Sequence, residues 1–190
     1  MGGGFEYLLT EKVYRRFSKP LAKFLSRFDL NPNHLTIFAG VIGIVPAFLI
    51  YYGWFYEAVV TIFISQILDC TDGDLARLTG KTTRRGAYLD RVLDRFVDAA
   101  LIIGLVSVNP DLWLVGMLAL TASFGVSITR AMAEAEGVSV KVGIGGRDTR
   151  LFLIMVGLIT GLIFETLVIL LALGTITTLH RMIYFWQRAD

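Results

Sequence analysis

The sequence has little charge and almost no cysteine, and both shortages limit the class of protein it can encode. Charged side chains make up 18% of the 190 residues, whereas a soluble domain usually carries about 25%. The single cysteine, Cys70, cannot form a disulfide within the chain, so the fold does not depend on disulfide bonds. A hydrophobic content of 55% then indicates a polytopic membrane protein with little room for a separate soluble domain.

The first residues, MGGGFEYLL, lack two common targeting signals. No basic segment precedes an apolar core there, as it does in a secretory signal peptide. Position 6 holds Glu6, whereas an N-myristoylation site carries a serine or threonine at that position. The N-terminus is therefore expected to carry neither signal.

Apolar segments account for most of the chain after residue 33. Crossing the hydrocarbon core of a bilayer takes roughly 20 residues. Six candidate spans cover residues 34–53, 55–78, 86–107, 112–134, 149–164 and 166–186. The connections between them are short, so consecutive helices are expected to be antiparallel neighbours. The predicted fold is all-α and integral to the membrane, with residues 34–190 as its membrane domain.

Residues 1–33 form a predicted N-terminal arm that contains an amphipathic helix over residues 13–28. Apolar side chains recur at helical spacing on one face, and basic side chains lie mostly on the other. The two sets are Val13, Phe17, Leu21, Phe24, Leu25 and Phe28, and Arg15, Arg16, Lys19, Lys23 and Arg27. Pro20 suits the first turn of a helix. The pattern predicts an interfacial helix against anionic headgroups, and an ordinary basic anchor beside the membrane is compatible with it.

Lysine and arginine are missing from three of the predicted turns, near residues 52–56, 108–111 and 165. Cytoplasmic loops of membrane proteins carry an excess of these residues. We therefore expect both termini in the cytoplasm and a multi-pass protein of the cell membrane. In that orientation the charged residues 69–98 face the cytoplasm.

The exception to the shortage of charge is the stretch DCTDGDLARLTGKTTRRGAYLDRVLDRFVD, residues 69–98, with six Asp and six Lys or Arg. Asp69 and Asp72 are three residues apart, and Asp90 and Asp94 are four apart, so each pair shares a helix face. The short connection lets the two pairs face each other across a helix hairpin. Four carboxylates in apolar surroundings need a compensating cation. All-oxygen ligands suit Mg²⁺ or Mn²⁺, and four carboxylates can bridge two ions.

A structural interpretation of the same stretch is a set of ion pairs that cap two helices, with Arg77, Arg91 and Arg95 as partners. Small residues weigh against it, because Gly73 and Ala76 share a face with the first Asp pair and leave room for a ligand. Two further carboxylates stand apart from this pattern. Asp74 is expected to be solvated or paired, and Asp98 is expected either to support the site or to pair with a neighbour.

The complete spacing is D-x-x-D-G-x-x-A-R, eight residues, then G-x-x-x-D-x-x-x-D. At every position it resembles the signature of the CDP-alcohol phosphotransferase family, at Asp69, Asp72, Gly73, Ala76, Arg77, Gly86, Asp90 and Asp94. The segment LNPNHLT, the six-span layout and the amphipathic helix are similar too. Such enzymes transfer a phosphoryl-linked group from a CDP-linked donor to an alcohol and release CMP. The chain resembles the members that make phosphatidylinositol phosphate or phosphatidylglycerol phosphate.

The resemblance implies roles for individual residues. Asp69, Asp72, Asp90 and Asp94 would hold the metal ions, and Asp94 would also be the general base for the acceptor hydroxyl. The implied donor contacts are Gly73, Ala76, Arg77, Thr83, Gly86, Pro32, Asn33, His34 and Leu35. The resemblance further implies phospholipid synthesis, a CDP-lipid donor, a homodimer and no nucleic-acid partner. A soluble CDP-polyol donor is the alternative within the family.

A second basic set, Arg130, Lys141, Arg147 and Arg150, is a candidate pocket for an acceptor that carries phosphate, such as inositol phosphate or glycerol phosphate. The alternative is that these residues only set topology and contact headgroups. Two other functions are open for the whole chain: a divalent-cation transporter and a non-catalytic scaffold. A transport site should lie near the bilayer midplane, whereas these carboxylates are predicted at cytoplasmic helix ends.

Overall fold

The structure is a computed structural model that describes residues 10–189, and its regular structure within that range is entirely helical. The α-helices are α1 (Arg15–Leu25), α2 (Pro32–Tyr51), α3 (Phe55–Leu78), α4 (Arg84–Ser107), α5 (Trp113–Ala135), α6 (Arg147–Thr160) and α7 (Ile163–Trp186). A π-helical turn, Thr10–Tyr14, precedes α1, and 3₁₀ turns occupy Ser26–Phe28 and Pro110–Leu112. The predicted all-α class is confirmed, while residues 1–9 of the predicted arm lie outside the described residues.

Three helical segments of the described chain are long and apolar enough to cross a membrane: Pro32–Tyr51, Pro110–Ala135 and Ile163–Trp186. The other predicted spans are less apolar or shorter, because α3 and α4 carry the charged stretch and α6 has 14 residues. At 1.5 Å per residue, α6 is about 21 Å long, shorter than a hydrocarbon core of roughly 30 Å. Large apolar side chains are widely exposed, including Phe48, Phe96 and Ile183, as expected of a surface that meets lipid.

The turn between the last two helices comes earlier in the chain than the sequence predicted. The predicted fifth span ends at residue 164, but α6 ends at Thr160 and α7 begins at Ile163. Gly161 adopts φ +74°, a left-handed conformation that commonly terminates a helix when glycine occupies it. The apolar run continues through this turn, so hydrophobicity alone placed the boundary wrongly.

The amphipathic helix is present, and α1 packs on the protein through its small residues Ser18 and Ala22, next to Tyr14 of the preceding turn. Tyr14, Ser18 and Ala22 are buried against the rest of the molecule, and α1 packs on α3. Phe17, Phe24 and Phe28 are each at least half exposed, and so are available to a membrane surface. Pro20 lies inside α1 and not in its first turn. Burial is the main cause that raises the pKa of Tyr14 to about 12, so its phenol is neutral.

Helix α2 is the central element for the charged stretch, because both α3 and α4 pack against it. Its glycines allow this close approach. A Cβ on Gly43 would lie 2.8 Å from Val97 of α4, and one on Gly40 would lie 3.1 Å from Leu93. The predicted hairpin of α3 and α4 is therefore held mainly through α2, since these two helices pack far less on each other. The two helices are left with a polar cleft between their charged ends.

Substitution of Gly104 by alanine is expected to destabilise the protein. Gly104 of α4 faces the backbone of α2, where a Cβ would lie 2.9 Å from Cα of Ala47 and 3.1 Å from its carbonyl oxygen. Glycine to alanine within a helix normally stabilises by roughly 0.5–1 kcal/mol, whereas overpacking against backbone costs about 1–3 kcal/mol. Thermal unfolding of the detergent-solubilised protein should therefore show a lower midpoint for Gly104→Ala, and a higher one would contradict this packing.

Candidate active site and metal-binding carboxylates

The charged segments of α3 and α4 bring three aspartates together, near the middle of these two helices. Asp69 of α3 and Asp90 and Asp94 of α4 each offer a carboxylate oxygen, and these oxygens all lie within 4.8 Å of one another. We call these three residues the carboxylate cluster. Like charges at this separation repel strongly in a low-dielectric site, so the cluster requires a cation.

Arg147, the first residue of α6, supplies one positive charge to the carboxylate cluster. Its Nη1 lies 3.0 Å from Oδ2 of Asp69 and 2.8 Å from Oδ1 of Asp94. Its Nε lies 3.8 Å from Oδ1 of Asp98, one turn deeper in α4. The guanidinium thus joins the start of α6 to the middle of α3 and α4. One positive charge does not balance the carboxylates that surround it.

Asp72 stands apart from the other three signature aspartates. It lies outside the carboxylate cluster, although the sequence pattern predicted four converging carboxylates. Its side chain is buried, and its Oδ2 finds no hydrogen-bond partner among the described residues. A buried carboxylate oxygen without a donor is costly unless a cation or another group satisfies it.

These observations test whether the site fits a divalent cation. The donor atoms are all oxygens, they converge from two helices, and an unsatisfied buried oxygen lies on the same helix three residues from Asp69. Hard oxygen ligands of this kind suit Mg²⁺ or Mn²⁺ better than Zn²⁺, which favours nitrogen and sulfur. The residues therefore fit such an ion, which Asp69, Asp90 and Asp94 would hold, and Asp72 lies three residues from Asp69 on the same helix.

The predicted donor contacts gather around the start of α2 and the start of α4. Asn31 caps α2 by accepting a hydrogen bond from the backbone N–H of Asn33 at 3.0 Å. Thr83 caps α4 in the same way, accepting from the N–H of Gly86 at 3.0 Å. A Cβ on Gly86 would lie 2.7 Å from Oδ1 of Asn33. Residues 32–35, which we call the PNHL segment, and the turn at Gly86 are far apart in the sequence but adjacent in the structure.

The remaining predicted donor residues lie along the last turns of α3 and at the start of α2. Gly73 and Ala76 are partly buried, and the guanidinium of Arg77 folds back over Gly73, 3.4 Å from where a Cβ would be. Pro32 is buried, Leu35 is partly buried and His34 is exposed. His34 and Leu35 therefore differ in their access to a ligand.

A cavity of about 1010 Å³ opens beside the carboxylate cluster, between α4, α5, α6 and α7. Asp90 and Asp94 line it together with several arginines and with apolar side chains such as Phe96 and Phe124. Its polar lining includes Arg95, Ser127, Arg130, Glu134, Arg147, Asp148, Arg150 and Arg181. We call it the basic cavity. Lys141, which the sequence pattern grouped with Arg130, Arg147 and Arg150, is not among its lining residues.

Several polar residues that line the basic cavity, among them Arg95, Ser127 and Arg181, were not among the sequence-predicted site residues. Arg95 donates a hydrogen bond to Ser127, and Arg181 donates from Nε to the carbonyl of Val142 at 2.9 Å and from Nη1 to that of Val126. One signal was available, because Arg181 is buried in an otherwise apolar helix, and such residues commonly mark functional sites. Ser127 gave no comparable signal.

The arrangement agrees with known proteins. A family model described as CDP-alcohol phosphatidyltransferase matches residues 29–180. The protein belongs to this family. The predicted family membership, and with it the prediction of a transferase in a membrane-associated family, is confirmed.

Relatives within the family include enzymes of inositol phospholipid synthesis. The chain is 32% identical over 182 residues to the archaetidylinositol phosphate synthase of Methanothermobacter thermautotrophicus, covering 93% of this chain and 92% of the relative. A crystal structure of the Mycobacterium tuberculosis phosphatidylinositol phosphate synthase with CDP-DAG bound matches with a TM-score of 0.82 and 26% identity, covering 90% of this chain and 94% of that one. The same enzyme with manganese and citrate matches with a TM-score of 0.81 and 26% identity, over 89% and 88% of the two chains.

Proposed function

We propose that the protein transfers a phosphatidyl-type group from a CDP-lipid to a phosphorylated alcohol, inositol phosphate or glycerol phosphate, and releases CMP. The observation that carries this proposal is that the carboxylate cluster and the basic cavity share one open space, with Asp90 and Asp94 in the cavity wall. An acceptor phosphate among the arginines would leave its hydroxyl free to reach the carboxylates. Relatives named as archaetidylinositol phosphate synthase and phosphatidylinositol phosphate synthase support inositol phosphate as the acceptor.

The chemistry is a displacement at phosphorus. The acceptor oxygen forms a bond to the phosphorus that bears the lipid, and the bond from that phosphorus to the bridging oxygen breaks, so CMP leaves. A carboxylate oxygen of Asp94 accepts the proton of the acceptor hydroxyl. Asp94 suits this role because its side chain is 13% exposed and lines the basic cavity. A bound Mg²⁺ or Mn²⁺ would neutralise the charge that develops on the phosphates.

The donor's nucleotide is assigned to the residues around the ends of α2, α3 and α4. Gly73 and Gly86 have no side chain, which leaves the backbone open to the approach of a pyrophosphate. Asn33 and Thr83 supply polar atoms at the same place, and Arg77 supplies charge for a phosphate. The proximity of the PNHL segment to Gly86 supports their joint role. A CDP-diacylglycerol or another CDP-lipid fits this assignment, since the exposed apolar surface is continuous around the helices.

The acceptor phosphate is assigned first to Arg130. Arg150 is engaged with Asp98 at 2.5 Å and Arg147 with the carboxylate cluster, so both also have structural partners. Arg130 is half exposed in the basic cavity and pairs only with Glu134 at 2.8 Å among the ion pairs of the described chain. Arg181 of α7 adds a further guanidinium to the lining of the cavity. Several guanidiniums in one cavity suit the bidentate recognition of a phosphate dianion.

The membrane arrangement proposed for this reaction has six spans, both termini in the cytoplasm and the carboxylate cluster at the cytoplasmic surface of the cell membrane. The three turns without lysine or arginine lie at one end of the helices, and the charged stretch lies at the other. A homodimer is part of the same proposal. A cation transporter is disfavoured because the family model that matches the chain describes a transferase. The position of the carboxylate cluster does not decide this, since Asp69 and Asp94 lie near the middle of α3 and α4 and not at helix ends as the sequence pattern predicted.

The direct test is CMP release by purified protein in detergent micelles with CDP-diacylglycerol, Mg²⁺ or Mn²⁺, and a panel of acceptors. We expect release with inositol phosphate or glycerol phosphate, little with free inositol or serine, and none after chelation by EDTA. Equal rates with free inositol would overturn the phosphorylated acceptor. Absence of release with every donor and acceptor pair, together with Mn²⁺ flux into liposomes, would favour the transporter.

Arg130→Ala is expected to raise the KM for the phosphorylated acceptor about tenfold and to leave the KM for CDP-diacylglycerol unchanged, since a charge-assisted hydrogen bond contributes about 1.5–3 kcal/mol. The matched control is Arg188→Ala, because Arg188 lies near the end of the chain over the ring of Tyr184 and away from the basic cavity. Steady-state kinetics with each substrate varied in turn measures both constants. An Arg130→Ala enzyme whose donor KM rises instead would refute the assignment of Arg130 to the acceptor.

A further inference from the structure

Asp74 is a buried carboxylate of α3 that the family signature does not include. Its side chain is 8% exposed, and both of its oxygens have partners. Ser18 of α1 donates its hydroxyl to Oδ2 at 2.7 Å, and Arg77 donates from Nη2 to Oδ1 at 2.8 Å. Asp74 therefore joins the amphipathic helix to one of the residues assigned to the donor.

Ser18 is a polar residue on the face of α1 that packs against the protein. It is fully buried in the row of small residues through which α1 packs on α3. A serine hydroxyl at such a position must find a hydrogen-bond partner or carry a cost of desolvation. Asp74, fifty-six residues along the chain, provides that partner. The contact thus makes the orientation of the Asp74 carboxylate depend on the docking of α1.

Arg77 is the residue in this chain of contacts that the proposed function assigns to the donor phosphates. Its side chain is 56% exposed, and an exposed arginine normally samples many rotamers, whose loss on binding opposes affinity. Here Asp74 holds one end of the guanidinium, and the missing side chain of Gly73 lets the group lie over the backbone of α3. A guanidinium has five N–H donors, so donors remain for a phosphate.

We propose that Asp74 is a positioning residue that holds Arg77 in its phosphate-binding orientation, and that Ser18 orients Asp74 in turn. The docked amphipathic helix then sets the affinity for the CDP-lipid donor without contacting the nucleotide. This inference rests on the proposed function, since it assigns Arg77 to the donor phosphates. It also gives α1 a second role besides its contact with the membrane.

Two single substitutions test the proposal from opposite ends. Asp74→Asn keeps the size of the side chain but removes its negative charge, so the guanidinium of Arg77 is held by a neutral acceptor only. Its KM for CDP-diacylglycerol should rise about tenfold, whereas Ser18→Ala, which keeps the charge, should raise it about threefold. In both variants kcat, the KM for the acceptor and the Mn²⁺ affinity measured by electron paramagnetic resonance should stay within about twofold of wild type.

A double-mutant cycle separates positioning from a general effect on structure. If Asp74 acts through Arg77, Asp74→Asn should raise the donor KM little further in an Arg77→Ala background. Ser26→Ala is the matched control, because Ser26 follows the same helix but bonds only the carbonyl of Lys23 on an exposed surface. It should leave the donor KM unchanged.

The outcomes distinguish this inference from the function on which it rests. A wild-type protein without CMP release from any donor defeats the proposed function. An active wild type with an unchanged donor KM in Asp74→Asn and Ser18→Ala, or with full additivity of Asp74→Asn and Arg77→Ala, overturns the positioning role. A fall in kcat together with similar rises in the KM for the donor and the KM for the acceptor would mean that Asp74 only stabilises the fold. That result would also contradict the proposal.

Discussion

Asp94→Asn is expected to reduce CMP release by about 10³-fold or more while the enzyme still binds its CDP-lipid. General-base catalysis typically contributes about 10²–10⁴-fold, and an asparagine amide cannot accept the proton of the acceptor hydroxyl. Asp94 lies in the wall of the basic cavity and 2.8 Å from Nη1 of Arg147. The substitution keeps the side-chain volume, so the cavity and the donor contacts around Arg77 should persist.

Two measurements are needed for Asp94→Asn. CMP release gives the rate, and equilibrium binding of radiolabelled CDP-diacylglycerol to the protein in micelles gives the donor affinity. Asp111→Asn is the control, since Asp111 is an exposed carboxylate in the turn between α4 and α5. If Asp94→Asn kept more than about a tenth of the wild-type rate, the base role would be wrong. If it lost donor binding alone, Asp94 would belong to the donor site instead.

Asp98→Ala is expected to cause the largest loss of stability. Asp98 accepts from Nη2 of Arg150 at 2.5 Å, and the two side chains are 8% and 4% exposed. Removal of one partner leaves a buried guanidinium without its counter-charge, which costs about 3–5 kcal/mol. For a chain of this size that corresponds to a fall of about 10 °C in Tm. Thermal unfolding in detergent measures the shift, with Asp111→Ala as the exposed control.

A double substitution tells whether this pair is needed for stability as such. Replacement of a buried ion pair by apolar side chains of similar volume is often neutral or stabilising. Asp98→Leu combined with Arg150→Met should therefore recover most of the Tm that Asp98→Ala loses. The double substitution also removes the hydrogen bond that Nη1 of Arg150 donates to the carbonyl oxygen of Gly145 at 2.8 Å. Recovery of the Tm is therefore expected to be incomplete. A double variant less stable than Asp98→Ala would show that the ion pair is itself stabilising.

The sequence pattern predicted the helical class, the family and the aspartates of the charged stretch. Helical spacing indicated that Asp90 and Asp94 share a face, and they lie together in the structure with Asp69. The pattern also predicted that Asp72 would join them, but Asp72 lies outside that cluster. Spacing along one helix says which side chains share a face, but the distance to a second helix depends on how both pack against α2.

The roles of other residues depend on contacts with residues that are distant in the sequence. Asp98 was expected either to support the site or to pair with a neighbour, and its partners Arg147 and Arg150 come from α6. The amphipathic pattern did not indicate that the small residues of α1 are the ones that pack, because the larger aromatic side chains dominate that pattern. In the structure Ser18 and Ala22 are buried while Phe17 and Phe24 are exposed, since small side chains permit the close packing of α1 on α3.

By itself, the sequence determined which residues can do chemistry here, because the types and spacing of Asp, Gly, Ala and Arg are local properties of the chain. Apolar composition likewise determined the kind of environment, since burial of so much hydrocarbon surface requires lipid. Tertiary structure decided which arginines share the basic cavity and which residue connects α1 to Arg77. The contacts of Ser18 with Asp74 and of Arg181 with Val126 each join residues more than fifty positions apart. Only the packing of helices brings such residues within hydrogen-bonding distance.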